Sequence, residues 1–150
     1  DVPIPRDCLI QTHLAISYEG YCCDADRAIG FGKISDEQKH LIEVAAEAHK
    51  KGLSAIRPGV KGSEVLEAVL SVDRSIVGTV PALVYGHGIG LDFEEIGFID
   101  DWTLQPGMTF TFAAGTYKEG VGAVRIEDVV VVTDTGCRRL NNFTRIPLVD

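Results

Sequence analysis

The chain opens with polar and apolar residues that alternate with the period of a β-strand. This alternation runs through residues 8–17, where a period of two indicates a half-buried strand. A second such run at 21–29 follows, so the two runs predict a β-hairpin. If the turn takes the four residues 17–20, His13 lies directly opposite Asp24 with both side chains on one face. That face of the second arm carries Cys22, Asp24, Asp26 and Ala28.

The middle of the chain changes to the period of an α-helix. Residues 35–38 read Ser-Asp-Glu-Gln, a capping box that opens a helix, and Arg-Pro-Gly at 57–59 ends it. A second helix is predicted from about Ser63. The expected buried faces consist of Leu41, Ala45, Ala48, Gly52 and Ile56 in the first helix, and of Val65, Leu66, Val69 and Val72 in the second.

After Ser75 the chain becomes rich in glycine, proline and β-branched residues, and three further strands are expected. They lie at 83–88, 109–113 and 124–133, and the valine-rich third strand is predicted to be central in its sheet. Strands, two helices and then strands again predict a single α+β domain over 1–150.

Charge and composition disfavour two classes of binding partner. The 150 residues carry a formal charge of −8, which disfavours nucleic acid and membrane surfaces. No apolar run approaches the ~18 residues of a membrane helix. Cys8, Cys22, Cys23 and Cys137 show no CxxC spacing, so reduced thiols and a cytoplasmic location are expected.

Three groups of polar residues could carry chemistry. The pair His13 and Asp24 could bind a metal or transfer a proton, or could form a solvated cross-strand pair. His87 lies between glycines, where it could be a ligand or an ordinary loop residue. Glu127 lies in the valine-rich strand, where a buried carboxylate is costly unless it is paired or metal-bound. The simpler interpretation of Glu127 is a salt bridge to Arg125, two positions away.

Five segments occur in an order that is typical of one family. They are GYCCDADR (20–27), IRPGV (56–60), GHGIGL (86–91), LQPGMTFTFAAGTY (104–117) and VRIEDVVVVTDTG (124–136). Together they resemble the creatinase/aminopeptidase P family, whose pita-bread fold is shared by Xaa-Pro dipeptidases and methionine aminopeptidases. The resemblance implies an α+β pita-bread fold and a hydrolase that acts on an amide or other C–N bond.

The resemblance also implies a metal site with two ligands replaced. Family members hold two ions with Asp, Asp, His, Glu and Glu in chain order, and Asp24, His87 and Glu127 occupy three of these positions. His13 stands at the first Asp and Ala113 at the first Glu. Because two carboxylates are lost, the resemblance implies one divalent ion at most (zinc, manganese or cobalt) instead of a dinuclear centre. His13 could then be a fourth ligand or the base.

Other roles follow from the same resemblance. It implies substrate contacts from Glu94, which stands where the family has a histidine, and from Arg125. A metal-free route with His13 or His87 as general base is the enzymatic alternative, and creatinase-like chemistry implies a small peptide or small C–N substrate. The resemblance also implies a homodimer and a further segment before Asp1. A non-catalytic domain that binds peptides or proteins, and a scaffold with a remnant polar network, are the alternatives to an enzyme.

Overall fold

The elements form one sheet with helices packed on it. The structure, a computed structural model, describes residues 1–77, 86–142 and 148–149. Within these ranges the sheet runs β1-β2-β6-β5-β3-β4, with β7 paired to β6 and β8 paired to β2. The elements are β1 (Cys8–Tyr18), β2 (Tyr21–Phe31), α1 (Asp36–Ala55), α2 (Gly62–Leu70), β3 (His87–Gly88), β4 (Glu95–Phe98), β5 (Thr109–Lys118), β6 (Gly122–Val132), β7 (Cys137–Arg139) and β8 (Leu148–Val149). This confirms the α+β class.

The β1–β2 hairpin is confirmed, but the predicted four-residue turn is wrong. Glu19 and Gly20 alone form the turn, both with positive φ (50° and 85°), which is the backbone that closes a two-residue hairpin. His13 therefore pairs with Asp26 instead of Asp24. The register moves by two residues, and because side chains alternate with a period of two, every side chain keeps its predicted face.

Both predicted helices are confirmed. The capping box at Ser35 is complete, because Gln38 N donates to Ser35 Oγ (3.2 Å) and Ser35 N donates to Gln38 Oε1 (2.8 Å). At Gly52 helix α1 lies so close to the sheet that a Cβ atom would stand 2.2 Å from Phe112 Cζ and 2.7 Å from Val69 Cγ2. The glycine therefore permits the close packing of α1 on β5 and α2.

Alternation along β5 and β6 separates a core face from a polar face. Even-numbered side chains join the helices in two apolar clusters, namely Phe110, Phe112, Ala114, Val124, Ile126, Val130 and Val132. Odd-numbered side chains, including those of Ala113 and Glu127, point to the opposite face. β6 lies between β2 and β5, which confirms its predicted central place.

Two strands differ by more than two residues between their predicted and their described extent. The strand predicted at 109–113 continues to Lys118. Of the strand predicted at 83–88, only His87–Gly88 forms a described strand, and 83–85 lie outside the described residues. Among the described helices, none combines the length and apolar character needed to cross a membrane.

Candidate metal centre

Neighbouring strands bring acidic and histidine side chains together on the polar face of the sheet. β1 contributes His13, β2 contributes Asp24 and Asp26, and β6 contributes Glu127. Across the sheet Asp26 pairs directly with Glu127, and Glu127 pairs directly with Ala113 on β5. The three carboxylates are buried, whereas the side chain of His13 remains 57% exposed and forms the outer edge of the cluster.

The imidazole of His13 lies between two carboxylates. Its Nδ1 is 2.6 Å from Asp26 Oδ1, and its Nε2 is 3.4 Å from Asp24 Oδ1. The hydrogen bond to Asp26 raises the pKa of His13, and burial opposes this rise. His87 approaches the other side of Asp24, with Nε2 3.8 Å from Oδ2, while its Nδ1 donates to the carbonyl of Gly88 (2.9 Å).

Arg125 ties two of the carboxylates together. Its Nη2 donates to Glu127 Oε1 (2.8 Å), which confirms the salt bridge considered for these two residues, and its Nη1 donates to Asp26 Oδ2. The side chain of Arg125 is about nine-tenths buried. The structure shows that the Arg125 side chain contacts these two carboxylates. Its predicted role in substrate binding stays a prediction.

Two carboxylate oxygens in this cluster accept no hydrogen bond within the described part of the chain. They are Asp24 Oδ1 and Glu127 Oε2, and both are buried. Burial raises the pKa of Glu127 to about 7, although the Arg125 guanidinium opposes this rise. Burial likewise raises the pKa of Asp24, opposed chiefly by His13. Buried carboxylates without enough donors are stable when a cation joins them.

The donor set fits a divalent metal ion. One ligand atom from each of His13, Asp24, Asp26 and Glu127 lies within 4.8 Å of all the others. A histidine nitrogen with carboxylate oxygens suits zinc or manganese, and a cation among them would satisfy the two oxygens that lack donors. The cluster therefore has both the chemistry and the spacing of a site that could hold a metal ion.

The predicted ligand set and this cluster overlap without being identical. Asp24, His87 and Glu127 were predicted as ligands, with His13 as a fourth ligand or base. The structure brings Asp24, Glu127 and His13 together and places His87 beside Asp24, outside the four-residue cluster. Sequence reasoning placed Asp26 on the correct face but gave it no role. The signal that could have found it is the two-residue turn, which sets Asp26 opposite His13.

A second ionic network on the helix side supports these strands and was not predicted. Arg27 Nη1 donates to the carbonyls of Asp26 (2.6 Å) and Glu127 (2.7 Å), and Nη2 pairs with Asp128. Asp128 also accepts from Asn141 Nδ2 at 2.6 Å. Arg27 thus joins β2 to β6 at the pair that carries two of the cluster's carboxylates.

An acidic cleft of about 630 Å³ lies next to β3. Its described lining consists of Gly88, Asp92, Glu94, Glu95, Trp102, Met108 and Thr109. Gly88 directly follows His87, so the cleft adjoins the histidine beside Asp24. Glu94 is exposed in this cleft, and its role in substrate binding stays a prediction.

Comparison with known proteins gives this arrangement a family. Metallopeptidase family M24 matches residues 1–134. The chain belongs to this metallopeptidase family. Among curated relatives, this M24 chain is 32% identical to an Xaa-Pro dipeptidase of Pyrococcus horikoshii and 33% identical to one of Pyrococcus furiosus, in each case over 97% of the chain. It spans 42% and 43% of those relatives, less than half of their length.

Solved structures agree with the assignment to family M24. The chain is similar to a dipeptidase of Pyrococcus horikoshii (TM-score 0.87, 31% identity, 99% of this chain and 43% of that one). It is also similar to an X-Pro aminopeptidase of Thermotoga maritima (TM-score 0.88, 30% identity, 97% and 43%). A methionine aminopeptidase of Rickettsia prowazekii, at 23% identity and TM-score 0.73, shares the fold. These similarities confirm the predicted family and the pita-bread fold.

Proposed function

We propose that this chain forms the metal-binding part of a peptidase that hydrolyses the amide bond of small peptides, with Xaa-Pro dipeptides as the first substrates to test. The observation that carries the proposal is the cluster of His13, Asp24, Asp26 and Glu127, whose donor atoms lie within 4.8 Å of one another around two carboxylate oxygens without donors. The names of the Pyrococcus relatives supply the substrate class.

A single ion is the form of the site that these residues favour. Relative to the ligand set that the family resemblance implies, Ala113 and neutral His13 remove two formal negative charges. Two dications about 3.5–4 Å apart depend on bridging carboxylates for charge compensation. The Arg125 guanidinium already neutralises part of the remaining carboxylate charge, which leaves less for a second ion.

The chain's own residues would divide the work. Asp24 and Glu127 would hold a zinc, manganese or cobalt ion with His13 Nε2, and His87 is close enough to Asp24 to join them. When bound, such an ion supplies a water of lowered pKa and polarises the amide carbonyl. Glu94 would attract the ammonium group of a peptide in the acidic cleft. If His13 is not a ligand, its exposed imidazole would take a proton from water.

A peptide-binding domain without activity is the second candidate. Ala113 presents a methyl group directly opposite Glu127, where the family resemblance implies a carboxylate. Arg125 and His13 also pair with carboxylates of the cluster, so part of its charge is compensated within the chain. A domain of this kind would keep the cleft and bind peptides there. A cytoplasmic location and a homodimer are expected for either candidate.

Metal analysis separates the candidates. We expect about one equivalent of zinc, manganese or cobalt per chain after loading and desalting, and its loss in Asp24→Ala and Glu127→Ala. The matched control is Glu43→Ala, which removes an exposed carboxylate from α1 on the other side of the sheet. Hydrolysis of Xaa-Pro dipeptides that disappears with the metal supports the peptidase.

Three other outcomes would reject the metal-dependent peptidase. A folded protein that binds none of the three ions would overturn the metal-dependent function. Hydrolysis that persists without metal would support the metal-free route, in which His13 or His87 is the general base. Saturable dipeptide binding without turnover, unchanged by Asp24→Ala, would support the binding domain.

A further inference from the structure

We propose that Asp26 is a positioning residue that holds the proton of His13 on Nδ1 and so presents Nε2 of His13 to the metal site. The proposal deepens the proposed function and rests on it for the role of Nε2. The orientation of His13 itself can be tested without metal or substrate. Neither the family resemblance nor the predicted ligand set assigns any role to Asp26.

The two contacts of the His13 ring are unequal. Nδ1 is 2.6 Å from Asp26 Oδ1, whereas Nε2 is 3.4 Å from Asp24 Oδ1. A neutral imidazole has one N–H group, and an ionised carboxylate can only accept. The shorter contact is a strong charge-assisted hydrogen bond, whereas the longer one is at the limit of a hydrogen bond. The proton of neutral His13 therefore lies on Nδ1, and the lone pair lies on Nε2.

Asp26 is held rigidly in this role. It is 2% exposed and lies directly across the β1–β2 ladder from His13. Its second oxygen accepts from Arg125 Nη1, and its carbonyl accepts from Arg27 Nη1 at 2.6 Å. Because both carboxylate oxygens are already engaged, Asp26 is better suited to orient His13 than to bind the ion itself.

Such an arrangement has a known physical effect on metal sites. A histidine ligand whose other ring nitrogen donates to a carboxylate has a fixed tautomer, a fixed ring orientation and a more basic ligating nitrogen. His13 needs this support because its side chain is 57% exposed and would otherwise sample several rotamers. Loss of such a partner typically costs about 10–100-fold in metal affinity.

The first test is the nitrogen-15 NMR spectrum of the histidine rings in the metal-free protein at alkaline pH, where the imidazoles are neutral. We expect a protonated Nδ1 and an unprotonated Nε2 for His13. In Asp26→Asn the amide can donate to Nδ1, so the tautomer should reverse. The signals of His40 and His49, which lie on α1 on the other side of the sheet, are internal controls and should not move. A wild-type His13 protonated on Nε2 would overturn the proposal even if Asp26→Asn does not fold.

The second test is a double-mutant cycle on zinc affinity. We expect Asp26→Asn to weaken zinc binding about 10–100-fold in the wild-type chain. In a His13→Ala background the same change should have little effect, because Asp26 acts through His13. An equal loss in both backgrounds would show that Asp26 acts independently, and would overturn the positioning role. Absence of zinc binding in the wild type, with the predicted tautomer retained, would instead count against the proposed function alone.

Discussion

Ala113 and Glu127 are direct partners across the β5–β6 ladder, and both are completely buried. The Cβ atoms of directly paired residues lie about 5 Å apart, so an acidic residue at position 113 would bring its carboxylate close to that of Glu127. In the chain as it is, Glu127 instead shares Arg125 with Asp26. The residue at position 113 is therefore one determinant of the negative charge that the centre can offer to a cation.

Ala113→Glu should make the fold dependent on metal. We expect the metal-free variant to lose about 3–5 kcal/mol of unfolding free energy, because the added buried carboxylate would lack a partner. Zinc should restore more stability to it than to the wild type. Thermal melts with and without zinc measure both effects. Ala113→Gln adds similar volume without charge, so an equal zinc response in the two variants would contradict the prediction.

The buried pair of Arg27 and Asp128 should contribute far more to stability than an exposed pair. Asp128→Ala removes the carboxylate beside a buried guanidinium, and we expect a loss of about 3–5 kcal/mol in urea unfolding. The matched control is Glu67→Ala, which breaks the exposed pair with Arg74 and should cost at most about 1 kcal/mol. Similar losses in the two variants would refute this difference.

His49 should make the protein sensitive to acid. Burial lowers its pKa to about 4 from 6.5, although Asp128 opposes the shift and Arg27 and Arg139 reinforce it. The unfolded chain therefore binds the proton first, so stability falls as the pH drops from 6.5 towards 4. At about 1.4 kcal/mol per pKa unit, this contribution reaches about 3 kcal/mol.

Replacement of His49 tests this assignment. His49→Gln should flatten that part of the curve of unfolding free energy against pH. His40→Gln, which changes an exposed histidine of the same helix, should leave it intact. An unchanged slope in His49→Gln would show that other groups cause the acid sensitivity.

Local patterns were sufficient for most of the fold. The capping box at Ser35 and the valine-rich strand around Glu127 are encoded by neighbouring residues, and both elements form where they were predicted. The network of Arg27, Asp128 and Asn141 was not predicted, because Arg27 and Asp128 are 101 positions apart. Which strand lies beside β2 is set by the folded sheet, and no short-range pattern reports it.

The sequence predicted part of the candidate site, and the part it missed depends on the length of the β1–β2 turn. Asp24, His87 and Glu127 were found through motifs, whereas Asp26 depends on the pairing of His13, which depends on the length of the turn. A Glu-Gly sequence gives a weak signal for a two-residue turn, because glutamate rarely adopts positive φ. Because the predicted register was wrong by two residues, His13 kept its predicted face of the sheet but pairs with Asp26 instead of Asp24.

Glu19→Asn should therefore stabilise the hairpin. Glu19 has φ of 50° and Gly20 has φ of 85°, and asparagine tolerates this backbone far better than glutamate. We expect a gain of about 0.5–1 kcal/mol in urea unfolding, since the left-handed conformation costs other residues about 1–2 kcal/mol. Gly20→Ala is the opposing control: no atom lies within 4 Å of the added Cβ, so any loss is conformational. A neutral Glu19→Asn would contradict the two-residue turn and, with it, the pairing of His13 with Asp26.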